Sequence, residues 1–229
     1  MNIQILQGIQ GSQTAEGLTV VIDVLRAFST ACYLYQQGAK EVYVVCEIEE
    51  ALALKHKFPD ARLMGERGGR KIPGFDLGNS PIEVLKTDVK NRQIIQTTSA
   101  GTKGILNANQ AAEIITGSFV NADSIVAYIR KKAPKELSLV AMGEAGIKPT
   151  EEDTFCGEYI KAKLNGEILD FESMVEKTKN NSGQRFFLEE NQSFSPSADF
   201  DLCMKLSIFN FVLQAEKAEG YYFLKKIEM

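Results

Sequence analysis

Short apolar runs alternate along this chain with stretches in which apolar residues recur every three or four positions. Residues 18–24 form a near-continuous apolar run interrupted by Asp23, the pattern of a strand buried on both faces that ends in a polar position. Helical spacing follows over 29–37, and Gly38 supplies a stop. The spacing then predicts a strand over 41–46 and a helix over 48–58 that ends before Pro59. Further strands are predicted over 93–97, 113–116 and 137–142, with helices over 102–110, 121–132 and 152–165. Residues 166–199 lose the pattern: 177–184 is a polar surface excursion, followed by Phe186-Phe187-Leu188, which should pack. An apolar helix over 200–215 and a closing strand over 221–224 complete the chain. Alternating strands and helices predict an α/β fold with a parallel or mixed sheet, in a single domain over 1–229. Shifted by 72 positions, Ala39-Lys40-Glu41-Val42 falls on Ala111-Ala112-Glu113-Ile114, a faint repeat that divides the fold into halves near 18–90 and 91–165, with 166–229 completing it.

One segment breaks the alternation. Residues 65–81 hold five glycines and two prolines, with unlike charges side by side and no long apolar run. Steric permission rather than burial should set this backbone, which predicts a loop. Arg67, Arg70 and Lys71 beside Glu66 and Asp76 point to an anion site, with a metal as an option.

Composition narrows the function. A net charge of -4 argues against broad nucleic-acid binding while allowing a local basic pocket. Four scattered cysteines and one histidine, His56, lack the ligand spacing of a zinc site. No signal-peptide pattern and no long apolar span are present, so a cytoplasmic protein is expected, without membrane partners. Self-association stays open.

Three constellations could carry chemistry. Asp23, Arg26, Ser29 and Thr30 stand at a strand-to-helix junction. Ser29 or Thr30 could cap the helix, Arg26 could grip an oxyanion and Asp23 could hold Mg²⁺; an ordinary cap with a buried Asp–Arg pair fits equally. Thr97-Thr98-Ser99-Ala100-Gly101-Thr102 is a second hydroxyl-rich turn, either anion-binding or a plain turn with a capping threonine. Thr150 and Asp153 have capping-box spacing, and Glu152-Asp153 could instead supply a metal ligand or a proton-transfer group. There is no Cys-x5-Arg loop, no Asp-x-Asp-x-Thr motif and no histidine cluster.

Taken together, Ile22-Asp23-Val24-Leu25-Arg26-Ala27 with Ser29-Thr30, Gly65-Glu66-Arg67-Gly68-Gly69 through Gly74-Phe75-Asp76-Leu77-Gly78-Asn79-Ser80-Pro81, Thr97–Thr102, and Glu152-Asp153 with Cys156-Gly157 resemble the 2-phosphosulfolactate phosphatase family of coenzyme M biosynthesis. The resemblance covers residues 18–165 and resumes weakly at Asp199-Phe200-Asp201-Leu202. Ala100 stands where the family has an amide, and the tail over 206–211 lacks the family's acid and arginine. The resemblance implies a three-layer α/β/α fold of two similar, intertwined halves. It also implies Mg²⁺-dependent hydrolysis of 2-phospho-3-sulfolactate to 3-sulfolactate and phosphate. In that reading Asp23, Glu66 and Asp153 are catalytic, and Asp23, Glu66 and Glu152 hold the metal. Arg26, Ser29, Thr30, Arg67, Asn79, Ser80, Thr98, Ser99, Gly101 and Thr102 bind the small phosphorylated substrate. Arg26, Arg67, Arg70, Lys71 and Lys103 would share its negative charge. A phosphatase of another phosphorylated hydroxy acid or sugar, or a non-catalytic anion-binding protein of the same fold, remain the alternatives.

Overall fold

The computed structural model describes every residue from Met1 to Met229. In chain order it comprises β1 (Asn2–Gln7), α1 (Gly8–Thr14), β2 (Gly17–Ile22), α2 (Ala27–Gln36), β3 (Glu41–Val44), α3 (Ile48–Lys57), β4 (Arg62–Arg67) and β5 (Arg70–Lys71). Then follow α4 (Pro81–Leu85), β6 (Gln93–Thr97), α5 (Gly101–Asn107), β7 (Ala111–Gly117), α6 (Ala122–Lys132), β8 (Glu136–Ala141), α7 (Glu151–Asn165), α8 (Phe171–Asn180), α9 (Ser197–Cys203), β9 (Phe211–Ala218) and β10 (Tyr221–Glu228). No helix is long and apolar enough to cross a membrane.

All ten strands form one mixed sheet in the order β1-β8-β2-β7-β9-β10-β3-β6-β4-β5. Strands β1, β8, β2 and β7 run parallel as one block, and β3, β6 and β4 as another. The antiparallel hairpin β9–β10 lies between them, joined antiparallel to β7 on one side and β3 on the other. Three antiparallel junctions invert direction, so the two blocks run in opposite senses. The units β2–α2–β3 and β6–α5–β7 cross between the blocks in opposite directions, which interleaves residues 18–90 with 91–165.

Alternation along the strands builds a core on each face. In β2, Val21 joins the layer under α2 and α5, while Leu18, Val20 and Ile22 join the layer under α6 and α7. In β6, Ile94 faces the first layer and Ile95 a smaller cluster with Ala51 and Leu54 of α3. The result is three layers, helix on sheet on helix.

Three expectations need correction. The loop over 65–81 opens as strand: β4 runs through Arg67 and turns into β5, and residues 63–66 are buried. Gly65 lies against β6 so closely that a Cβ there would come 2.4 Å from the Thr97 carbonyl oxygen, which is why a glycine can be strand here. The predicted helix over 200–215 is a short α9 followed by β9, because Phe211, Val212 and Leu213 divide between the two faces of the sheet. Of Phe186-Phe187-Leu188, only Phe186 is buried.

Gly65→Ala should lower stability by ~1–3 kcal/mol through overpacking against the backbone. A reduced urea midpoint at unchanged slope is the expected reading; an unchanged midpoint would contradict the close β4–β6 contact.

Candidate functional site

The carboxyl ends of strands from both blocks meet at one place, although the blocks run in opposite senses. The meeting point is a cavity of about 320 Å³, lined among others by Asp23, Arg26, Glu66, Asn79, Ser99, Glu152 and Asp153.

Asp23 follows β2. Its Oδ1 accepts from the Ala27 N–H at 2.9 Å, so this acid, and neither Ser29 nor Thr30, serves the start of α2. Both hydroxyl residues lie inside the helix: Ser29 Oγ donates to the Val24 carbonyl at 2.8 Å, and the buried Thr30 hydroxyl has no partner. Gly101 opens α5 against the same carboxylate, where a Cβ would stand 2.7 Å from Asp23 Oδ2 and 2.9 Å from the Ala27 Cβ. Thr98 and Thr102 close the turn on each other, Thr102 N donating to Thr98 Oγ1 at 3.2 Å and Thr98 N to Thr102 Oγ1 at 3.1 Å. Ser29, Thr30, Thr98, Gly101 and Thr102 therefore shape the wall from behind and do not line the cavity.

Glu66, at the end of β4, holds the second block to the site. Its Oε1 accepts from Ser99 N at 2.7 Å, and its Oε2 from Gly69 N at 2.7 Å and Ser99 Oγ at 3.2 Å. Asp153 does not form the expected capping box with Thr150, whose buried hydroxyl oxygen is unpartnered. Instead it reaches out of α7: Oδ1 accepts from Val24 N at 2.7 Å and Oδ2 from Gly143 N at 2.8 Å, bracing the ends of β2 and β8 together. Glu152 accepts from the Ser182 hydroxyl.

These acids sit close enough to oppose one another's ionisation. Burial, and then the charge on Glu66, push Asp23 up to about 6 against the Ala27 N–H. Burial and the charges of Glu152 and Asp23 hold Asp153 well above the usual carboxylate range. Burial also raises Glu152, with the Ser182 hydroxyl and the Arg185 charge opposing the shift.

The cations are mostly committed elsewhere. Arg26 Nη1 meets Asp199 Oδ2 at 2.5 Å and the Phe194 carbonyl at 2.9 Å, while Nη2 donates to the Gly69 carbonyl at 2.9 Å. A buried Asp–Arg pair exists, and its acid is Asp199 instead of Asp23. Arg67 donates to the Glu66 and Cys46 carbonyls and to Thr97 Oγ1, and does not line the cavity. Arg70 lies on the Phe194 ring, 3.7 Å from its centre, and Lys71 pairs with Glu83 at 3.3 Å. Lys103 is not among the lining residues. Ser80 caps α4 and donates to Asp199 Oδ1 at 2.8 Å, facing a neighbouring cavity. Asn79 lines both cavities, its buried Oδ1 without a partner.

Two residues escaped the motif reading. Asp199 lies within the weakly matching Asp199-Phe200-Asp201-Leu202, which was its only signal. Arg185 lines the cavity from the patternless segment 166–199 and had none. The one histidine, His56, is exposed on α3, and Cys156 is buried in the core.

No group of three or more His, Cys, Asp or Glu side chains forms a cage for a metal ion. Mg²⁺ needs less, since it takes one or two carboxylates and fills its shell with water and substrate oxygens. A carboxylate offers about four lone-pair positions. Glu66 spends three of them on the chain's own donors, whereas Asp23 and Glu152 keep more in reserve. The donor chemistry therefore fits a hard cation.

Two outcomes follow from the charges. Asp199→Ala leaves the Arg26 guanidinium buried without its acid and should cost about 3–5 kcal/mol, read from chemical denaturation. Glu152→Gln, in EDTA, should raise the denaturation midpoint above neutral pH. Because folding raises the Glu152 pKa, that gain is full above the folded value, fades as pH falls through it and is gone below the ordinary 4.5. A gain that persisted at low pH would show that charge repulsion is not its source.

The family model for 2-phosphosulpholactate phosphatase matches residues 3–218. A protein of Bacillus subtilis (strain 168) named probable 2-phosphosulfolactate phosphatase is 32% identical over 220 residues, covering 95% of each chain. One of the same name from Carboxydothermus hydrogenoformans is 34% identical over 237 residues, covering 96% of this chain and 95% of its own. A Deinococcus radiodurans protein, again so named, is 42% identical over 130 residues, which is 56% of this chain and 54% of that one.

Proposed function

The chain belongs to the 2-phosphosulpholactate phosphatase family, and we propose that this phosphoric monoester hydrolase converts 2-phospho-3-sulfolactate to 3-sulfolactate and phosphate with the help of Mg²⁺. The observation that carries the metal is the charge balance of the cavity. Asp23, Glu66, Glu144, Glu152 and Asp153 line it against two arginines, and Arg26 is already neutralised by Asp199. A phosphorylated, carboxylated and sulfonated substrate cannot approach so many carboxylates unless added positive charge separates them. Asp23, Glu152 and the remaining lone pair of Glu66 would hold Mg²⁺, which neutralises charge developing on the phosphoryl oxygens.

The chain's own residues do the rest. Asp23, fixed at Oδ1 by the Ala27 N–H and lining the cavity, orients the attacking water and accepts its proton. Ser99 spends its hydroxyl proton on Glu66 and so fixes that carboxylate, while the Asn79 amide offers the substrate a polar contact. Asp153 acts as a positioning group, since both its oxygens are spent holding β2 and β8 in register at the floor. Phosphoryl transfer relies mainly on such placement and charge neutralisation.

Incubation of the purified protein with 2-phospho-3-sulfolactate and Mg²⁺ should release phosphate, and excess EDTA should stop it. Asp23→Asn should reduce kcat by about 10²- to 10⁴-fold, the usual contribution of a positioned acid–base group. Turnover unaffected by EDTA would remove the metal, and full activity of the Asn variant would remove Asp23 from the chemistry.

A further inference from the structure

The substrate assigned above carries anionic groups besides its phosphoryl, and the cavity must answer them with something other than carboxylates. Only two cationic side chains line it, Arg26 and Arg185. Arg26 is buried, paired with Asp199 and bonded to two carbonyl oxygens. Arg185 is partly exposed and takes part in none of the molecule's ion pairs. One of its terminal nitrogens donates to the Leu25 carbonyl at 3.0 Å, and its guanidinium stands 5.1 Å from the centre of the Phe186 ring. Those two contacts aim the group while leaving further N–H donors of the fork unspent.

Position completes the argument. The carboxylates that would engage the phosphoryl end stand on the strand ends and the first turn of α7, which form the floor. Arg185 belongs to the segment between α8 and α9, which also lines the cavity through Asn191 and Phe194 and adjoins the acids, Ser182 bonding Glu152 and Arg185 itself the Leu25 carbonyl two residues from Asp23. In 2-phospho-3-sulfolactate the phosphoester and the carboxylate share one carbon, and the sulfonate lies one carbon farther away. A phosphoryl among those carboxylates leaves the sulfonate in need of a cation, and Arg185 is the lining cation not already paired with an acid.

We propose that Arg185 is the specificity-determining residue of the cavity, reading the substrate's sulfonate by charge-assisted hydrogen bonds. The inference rests on the phosphatase reading for its substrate. The sulfonate is thereby answered by one arginine that no motif contains, and not by Arg67, Arg70, Lys71 or Lys103, which do not line the cavity.

The test compares wild type, Arg185→Gln and Arg185→Lys on 2-phospho-3-sulfolactate and on 2-phospholactate, which lacks the sulfonate. Arg185→Gln should lose roughly 10- to 100-fold in kcat/KM on the sulfonated substrate, the usual worth of a charge-assisted contact. Its loss on 2-phospholactate should be far smaller, so the preference of wild type for the sulfonate collapses. Arg185→Lys should recover part of that preference. Equal losses on both substrates would assign Arg185 a purely structural role at the Leu25 carbonyl and overturn the proposal. Calorimetry with 3-sulfolactate and lactate separates this from the phosphatase reading. If neither phosphoester is hydrolysed, the phosphatase reading fails, yet tighter binding of 3-sulfolactate than lactate by wild type, lost in Arg185→Gln, still upholds Arg185. Wild type binding both acids alike, or the Gln variant binding 3-sulfolactate as wild type does, overturns it.

Discussion

A guanidinium removed from water is costly unless its charge and its N–H groups are answered. In Arg26 that requirement becomes the organising contact of the molecule. Its donors reach Asp199 at the start of α9, the Phe194 carbonyl of the segment before it, and the Gly69 carbonyl of the β4–β5 turn. Asp199 extends the network, accepting from Ser80 Oγ and Ile82 N at the start of α4. Pieces of chain separated by more than a hundred residues are thus fixed to the end of β2, and the cavity takes its shape from where they meet. Arg26 serves the site by building it, a role that a motif naming an arginine beside an acid does not distinguish from holding a ligand.

The site set on that frame runs against stability. Asp23, Glu152 and Asp153 are buried together, and their charged forms are disfavoured by burial and by one another. A fold selected for stability alone would not place them so. The arrangement becomes reasonable when cations and an anionic substrate complete it, because the same fields that oppose carboxylates attract positive charge. Functional need and folding energy are in tension here, as they commonly are where strained or charged groups cluster.

Much of this was legible from residue order, and what was not has physical causes. The strand over 93–97 and the helices beginning near 48 and 122 follow their periodicity closely, since their apolar faces meet a core. Residues 209–215 carry an apolar run that suits helix or strand, and only the β7 and β10 partners decide between them. Ile3 and Ile5 in β1 alternate as a strand should, but so short a run carries little periodicity. The site was half visible: Asp23, Glu66, Ser99, Glu152 and Asp153 do converge on one cavity, whereas Arg67 and most of the hydroxyls stand behind its wall. Hydrogen-bonding side chains look alike in a sequence whether they face a ligand or their own backbone. Arg185 was invisible because the segment bearing it has no periodicity and is placed entirely by tertiary contacts.

The hairpin β9–β10 occupies the centre of the sheet but follows every other strand in the sequence. Synthesis from the N-terminus therefore produces both parallel blocks before the piece that joins them. Until residues 211–228 arrive, β7 and β3 each present an unpaired strand edge, the kind of surface that invites pairing with another chain. From residue 117 until the hairpin is made, the nascent protein thus has both edges open, and the hairpin closes both. A defect in the last strands would expose the middle of the sheet, where most proteins would merely fray at a margin.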